Sequence, residues 1–369
     1  MQVNNVSVNL KRIRNVKSMT MQEAADAAGI SRMAYHNIEK GIAAPRVSNL
    51  QKLAKALGVK VFHLVRRVPK LHSVRFRALK WKSKKSRLSR EEIKSETALW
   101  MRDFNDLEAM LPRKKNKKVC IDNKKYNMQS LSPEEAAGKA RDCLRIEEDA
   151  VIADICGLVE SAGIKLHFMN IDLDNFFGFS VNDKELGAAI VVNSHGSIPT
   201  ERKIFTIAHE LGHILMHPLS FNDEDKEIDR QEKEADVFAS HFLMPREAFH
   251  KRLAEVKGID FVDAILHIKR VFKISYAAVL YRLVDENIAS RDIWKLFRAR
   301  YEKRCNFNFK KREEPVPLAA IDCIEDRLSC LVREAYEKEL ISMSRAAEIL
   351  DKSIIEMREL ANGWMAVKT

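Results

Sequence analysis

The chain has 369 residues, a formal net charge of +12 and a hydrophobic fraction of 46%. That length predicts two or three domains, and the apolar content is enough to build real cores. No apolar run approaches a membrane span and the first residues, MQVNNVSVNLKRIRN, lack the apolar heart of a secretory signal, so a cytoplasmic protein is expected. The six cysteines (Cys120, Cys143, Cys156, Cys305, Cys323 and Cys330) show no Cys-x-x-Cys spacing, so neither a cysteine zinc site nor a disulfide framework is indicated, and reduced, mostly buried thiols are expected.

From Met19 the stretch MTMQEAADAAGISRMAYHNIEKGIAAPRVSNLQKLAKALGVKVFHL breaks into short helices at Gly29, Gly41 and Gly58, with Thr20, Ser31 and Ser48 placed as caps. Ala24, Ala25, Ala28, Ile30, Ile38, Leu50, Leu53, Ala54 and Leu57 supply a small core. The tight turn at Ala28, Gly29 and Ile30 lets the following helix project. This pattern resembles the lambda-repressor/Cro-like, or XRE-type, helix-turn-helix domain over residues 8 to 65. The resemblance implies that the helix from Ser31 to Glu39 enters the major groove of a double-stranded DNA operator. Ser31, Arg32, Tyr35 and His36 are then the candidates for base-edge or phosphate contact. Such domains use a two-fold dimer on the operator, so a homodimer is one expectation.

Residues 66 to 90 hold eleven Lys or Arg and no acid, and RKKNKK follows at 113 to 118. Clustered cations beside a helix-turn-helix suit phosphate contact and salt-sensitive affinity; the same run also suits a solvated linker. Phe76 and Trp81 interleave with it, and SETALWMRDFNDLEAML (95 to 111) has helical spacing. Residues 66 to 130 therefore read as a basic connector containing one sizeable helix. Beyond it, 133 to 149 and 151 to 164 read as helices, and KLHFMNI (165 to 171) and GAAIVVN (187 to 193) as strands.

The segment KIFTIAHELGHILMH (203 to 217) carries the chemistry. At 3.6 residues per turn His209 and His213 share one helix face, so both imidazoles reach one metal ion, and Glu210 sits where it takes a proton from water at that metal. Ile204, Ile207, Ala208, Leu211, Ile214 and Leu215 form the apolar stripe, and Pro218 ends the helix. His217 lies near the same face, where a cap or packing role is expected; His195 sits in the loop SHGSIP. Downstream, helical periodicity from Ala235 through Phe238, Ala239, Phe242 and Leu243 places carboxylates on the shoulders of an apolar face. A catalytic zinc takes three protein ligands and a water, so one of these carboxylates completes the set. Counted around the helix, Glu232 and Asp236 fall on one side and Glu234 on the other, next to His241. Periodicity leaves the choice open.

The stretch IVVNSHGSIPTERKIFTIAHELGHILMH followed by EADVFASHFLMP resembles the ImmA/IrrE family of metallopeptidases. The resemblance implies that His209, His213 and Glu234 hold Zn2+, that Glu210 is the catalytic base, and that Asp236 holds a ligand imidazole by its free N–H. It also implies a protein substrate, typically a helix-turn-helix repressor, whose cleavage derepresses a mobile-element, toxin-antitoxin or stress operon. A second reading shares these residues: an antitoxin-like or metal- or ligand-sensing repressor that binds a partner without cutting it. Tyr276 and Tyr281, in ISYAAVLYRLVDENI (274 to 288), are candidates to steady a tetrahedral intermediate, with core packing the simpler role. The segment 340 to 360 is helical, with breaks at Ser344 and at Asp351 to Ser353. The expected fold class is α+β, predominantly helical. The expected division is 1–67 helix-turn-helix, 68–130 connector, 131–290 zincin-like peptidase domain, and 291–369 a helical module for dimer or partner docking.

Overall fold

The computed structural model describes residues 5–17, 19–69, 71, 73–76, 84–111, 128–173, 175–221, 229–306 and 313–366. The basic run RKKNKK at 113–118, Trp81 and most of the acidic stretch 222–228 lie outside the described residues. Internal contacts divide the chain into two units, Met1–Leu71 with Lys80–Asn105, and His72–Leu79 with Asp106–Thr369.

The first unit begins with α1 (Asn5–Val16), α2 (Met21–Ala28), α3 (Arg32–Glu39), α4 (Val47–Ala56) and α5 (Val61–Val65). Thr20 caps α2 through the Glu23 amide while the Glu23 carboxylate accepts from the Thr20 amide, satisfying two orphan donors reciprocally. Gly29 ends α2 in the left-handed region at φ 61°, and Ser31 at once caps α3. The cap expected at Ser48 is displaced: α4 starts at Val47 with Arg46 as its uncapped flanking residue, so Ser48 falls inside the first turn. Leu10, Ala24, Ala25, Tyr35, Leu53 and Leu64 are fully buried in a common core, with Ile30 and Leu50 at its margin. A bidentate pair crosses this core, in which the Arg14 Nε and Nη2 donate to the Glu39 carboxylate at 2.7 and 2.8 Å. The long helix α6 (Lys84–Met110) contributes its stretch to Asn105, where Arg66 pairs with Asp103.

The second unit contains a sheet and helices. Its strands are β1 (Val74–Phe76), β2 (Lys165–Met169), β3 (Gly178–Asp183) and β4 (Gly187–Asn193), in spatial order β1-β3-β4-β2. β3 pairs antiparallel with both β1 and β4, while β2 pairs parallel with β4. The sequence reading found β2 and β4, the apolar strands, and missed β3, whose GFSVND lacks clean alternation, and β1, three residues inside a basic run. The helices α7 (Pro133–Cys143) and α8 (Ile155–Ser161) are shorter than predicted. α7 stops where Arg145 takes a φ of 58°.

Next come α9 (Thr200–Met216), which Pro218 terminates as expected, and α10 (Asp229–Leu243). α9 is buried along almost its whole length, and α10 packs directly along it. A Cβ at Gly212 would stand 2.8 Å from the Phe238 ring, so the absence of a side chain permits this approach. The remaining helices are α11 (Arg246–Glu255), α12 (Phe261–Phe272), α13 (Tyr276–Asp285), α14 (Ile293–Cys305), α15 (Arg327–Glu337), α16 (Met343–Ile349) and α17 (Ile354–Ala366). Ile293, Phe297, Tyr301 and Cys323 join the same core as α9 and α10, so residues just past 290 pack into this unit instead of forming a separate module. Residues 68–130 likewise divide between the two units instead of standing as one connector. Among the described residues no helix is long and apolar enough to cross a membrane. Among the described residues Cys156 and Cys323 are buried with their sulfurs 3.7 Å apart; Cys305 and Cys330 are exposed, against expectation.

Two stability predictions follow from this packing. Gly212→Ala forces the Phe238 ring out of its place and should destabilise the second unit by about 1–3 kcal/mol, read by denaturant unfolding; an unchanged midpoint refutes the close-approach account. At Glu160, burial, reinforced by Glu325, pushes the carboxyl up to about 8. The folded chain therefore keeps a proton that the unfolded chain releases near pH 4.3. Stability falls as pH rises between the two values, because there the unfolded state binds fewer protons. Glu160→Gln should match wild type near pH 4 and be more stable than it at pH 9; a difference independent of pH contradicts the assignment.

Candidate metal centre and helix-turn-helix face

α9 and α10 bring three ligand atoms together. His209 Nε2 and His213 Nε2 stand 3.0 Å apart. The two Glu232 oxygens lie 3.3 Å from His209 Nε2 and 3.1 Å from His213 Nε2. All three residues are buried, and among the described residues they form a group able to hold a metal ion. Metal bonds of about 2.0–2.2 Å in a tetrahedron set neighbouring ligand atoms roughly 3.3 Å apart, so these separations suit a zinc-sized ion and the two-imidazole, one-carboxylate donor set suits its chemistry.

The carboxylate in place is Glu232, which corrects the expectation of Glu234. Two residues on a helix turn the direction by about 200°, so the two side chains diverge. Glu232 shares the buried stripe with Ala235 and Phe238, facing α9. Glu234 instead reaches past the end of α9, where its Oε2 lies 2.9 Å from His217 Nε2. The angular count had already grouped Glu232 with Asp236; the resemblance drew the choice to the neighbouring acid.

Around this centre each group has a partner. His209 Nδ1 lies 2.8 Å from Asp236 Oδ1, the placement expected for an orienting carboxylate. His213 Nδ1 lies 3.0 Å from His217 Nδ1. His217 caps α9 and is buried, so the expected cap role holds and a hydrogen bond to His213 is added. The Ser180 hydroxyl, from β3, donates to Glu210 Oε2 at 2.6 Å. Opposite Ser180 in the ladder, β1 carries Arg75, whose guanidinium donates to Glu232 Oε1 at 3.1 Å and to Gln231 at 2.7 Å. Ser180 and Arg75 went unseen because β3 and β1 went unseen; only the structure joins residue 75 to residue 232.

The electrostatics follow from burial and these bonds. Burial raises the Glu210 carboxyl, against the pull of His209 and the Ser180 hydroxyl. For Glu232 burial also acts upward, but hydrogen bonds with His209 and His213 outweigh it and hold the carboxylate ionised. Burial lowers His213 to about 3, so this imidazole is neutral and its lone pair available. At His209 burial is outweighed by Asp236 and Glu232, which raise it to about 9.

Beside Asp236 a cavity of about 1080 Å³ is lined by Phe177, Arg202, Phe205, His195, Tyr276 and Tyr281, among others. The Arg202 guanidinium stacks on the Phe177 ring at 4.1 Å. His195 is on the expected loop, held by Ser197 at 2.7 Å, and lines this cleft. Tyr276 stacks on Phe297, whereas Tyr281 is 61% exposed, which corrects the core role expected for it.

In the first unit, α3 exposes Arg32 and Ser31 and leaves His36 half-buried. The Ser31 oxygen is engaged as the cap of α3. Tyr35 is corrected as a DNA contact: it is 0% exposed, because its position on α3 faces inward with Ile38 and Glu39. Met33, 68% exposed on the same turn as Arg32, was passed over by a reading that looked for polar contacts.

Residues 159–284 match the family model of the IrrE N-terminal-like domain, peptidase M78, and residues 10–64 match a helix-turn-helix family model. No curated protein matches the chain. The HExxH helix, Glu232 and Asp236 all fall within the first matched segment and α2 and α3 within the second, so a segment similar to helix-turn-helix domains precedes one similar to the IrrE N-terminal-like, M78 peptidase domain.

Proposed function

We propose that the protein is a DNA-binding regulator whose second domain is a zinc-dependent endopeptidase acting on a partner protein. The observation that carries this reading is the buried group of His209, His213 and Glu232 with Glu210 one residue from the first imidazole. Zinc bound there would supply a Lewis acid for the scissile carbonyl and lower the pKa of water at the site. His209, His213 and Glu232 would hold it. Glu210 accepts the proton of the attacking water and returns it to the leaving amine, a task suited to a buried carboxyl of raised proton affinity with one oxygen steadied by Ser180. Asp236 fixes the tautomer of His209, leaving Nε2 free to ligate.

The partner that best fits a peptidase joined to a helix-turn-helix is a repressor of that class, whose cleavage releases a mobile-element, toxin-antitoxin or stress operon. In the first domain Arg32 is the leading candidate for DNA contact, with Ser31 and His36 beside it. A cytoplasmic location and operator binding as a homodimer are parts of the same reading.

Two measurements test it. Elemental analysis should find about one zinc per chain in wild type and Glu210→Gln and much less in Glu232→Ala, while Glu210→Gln lowers partner cleavage by roughly 10²–10⁴-fold. If Glu210→Gln leaves the cellular response intact while His209→Ala abolishes it, the protein senses metal without cutting. For the DNA face, Arg32→Ala should weaken operator binding and reduce the salt slope by about one, whereas Tyr35→Phe should leave both unchanged. Equal losses from the two variants count against Arg32 as a contact.

A further inference from the structure

The outer partners of the two ligand histidines differ in kind. His209 has a direct carboxylate, Asp236. His213 has an imidazole, His217, which in turn meets a carboxylate, Glu234. With His213 Nε2 turned to Glu232 and His209, only its Nδ1 is left to face His217. An imidazole that presents a lone pair at Nε2 carries its proton on Nδ1, so His213 Nδ1–H donates to His217 Nδ1. His217 then carries its own proton on Nε2 and donates it to Glu234 Oε2. One assignment of protons satisfies all three residues, and reversing either bond puts a proton on the Nε2 atom that must ligate.

We infer that His217 and Glu234 are positioning residues for His213, a relay that fixes its tautomer and ring orientation so that Nε2 is preset as a ligand. This inference rests on the metal reading above. The spacing carries it: His217, the cap of α9, follows His213 by one turn, and the turn from Glu232 to Glu234 on α10 directs one carboxylate to the ligand face and the other to the relay. The other Glu234 oxygen lies 3.3 Å from Arg230 Nε, an exposed pairing that leaves Oε2 for His217. Glu234, which the family resemblance placed in contact with the metal, thus acts on it at two removes.

The test uses the full-length chain and measures zinc affinity at equilibrium against a chromophoric chelator, with thermal unfolding of the stripped proteins as the folding control. His217→Phe should weaken zinc binding by about 10–100-fold. His217→Asn, whose amide oxygen can accept from His213 Nδ1, should recover most of that loss. Glu234→Ala should cost less than His217→Phe, Glu234→Gln less again, and Glu232→Ala far more than any of them. Loss in Glu234→Ala as large as in Glu232→Ala, with His217→Phe unchanged, makes Glu234 a direct ligand and overturns the relay. Affinities in His217→Phe and Glu234→Ala within about twofold of wild type, with wild type binding zinc, overturn the relay alone. A wild-type chain that takes up no zinc overturns the metal reading and the relay with it.

Discussion

The arrangement of the second unit depends on how closely α10 lies against α9. At Gly212 the Phe238 ring occupies the volume that any side chain would need. That approach fixes the rotation of α10, because Ala235, Phe238, Ala239 and Phe242 must all face inward. Once those apolar residues are set, the carboxylates have no freedom left. Glu232 is carried to the imidazoles, Asp236 to the far side of His209, and Glu234 past the end of α9 to His217. The ligand set is therefore a consequence of hydrophobic packing, and the polar bonds refine it.

This constraint also explains what the sequence disclosed and what it withheld. The imidazole pair and Glu210 were legible because their relation is local, set by one helix and its period. Asp236 came from the family resemblance instead, and it lies beside His209 Nδ1. The choice between Glu232 and Glu234 required the phase between two helices; the angular count contained the needed information, while the family resemblance drew the assignment two residues along. Ser180 and Arg75 were hidden by a different cause. Both reach the site through strand pairing, and a three-residue strand inside a run of cations carries almost no signal of its own.

In the helix-turn-helix unit the same contrast holds between local and tertiary information. Thr20, Gly29 and Ser31 act within a few residues and were read correctly as stops and caps. Tyr35 was misread because its position near the start of an exposed helix says nothing about the opposite face. There the Arg14 and Glu39 side chains form a buried bidentate pair, and burial beside them raises the Tyr35 hydroxyl above its ordinary range. Charge buried in this way contributes little net stability, but it fixes the rotation of α3 against α1. That rotation decides that Arg32 and Met33 face outward.

The charge balance of the candidate centre gives the geometry a further meaning. Glu210 and Glu232 are both buried, and Arg75 donates to Glu232. Burying carboxylates is costly unless positive charge lies close by, and His213 is neutral. His209 answers that demand: Asp236 and Glu232 draw its pKa upward even though burial opposes its charged form. A cation among His209, His213 and Glu232 would supply positive charge in its place and displace the proton that His209 otherwise attracts. Binding would then add to the stability of the folded chain and release protons, coupling the proposed chemistry to the fold through the same buried acids.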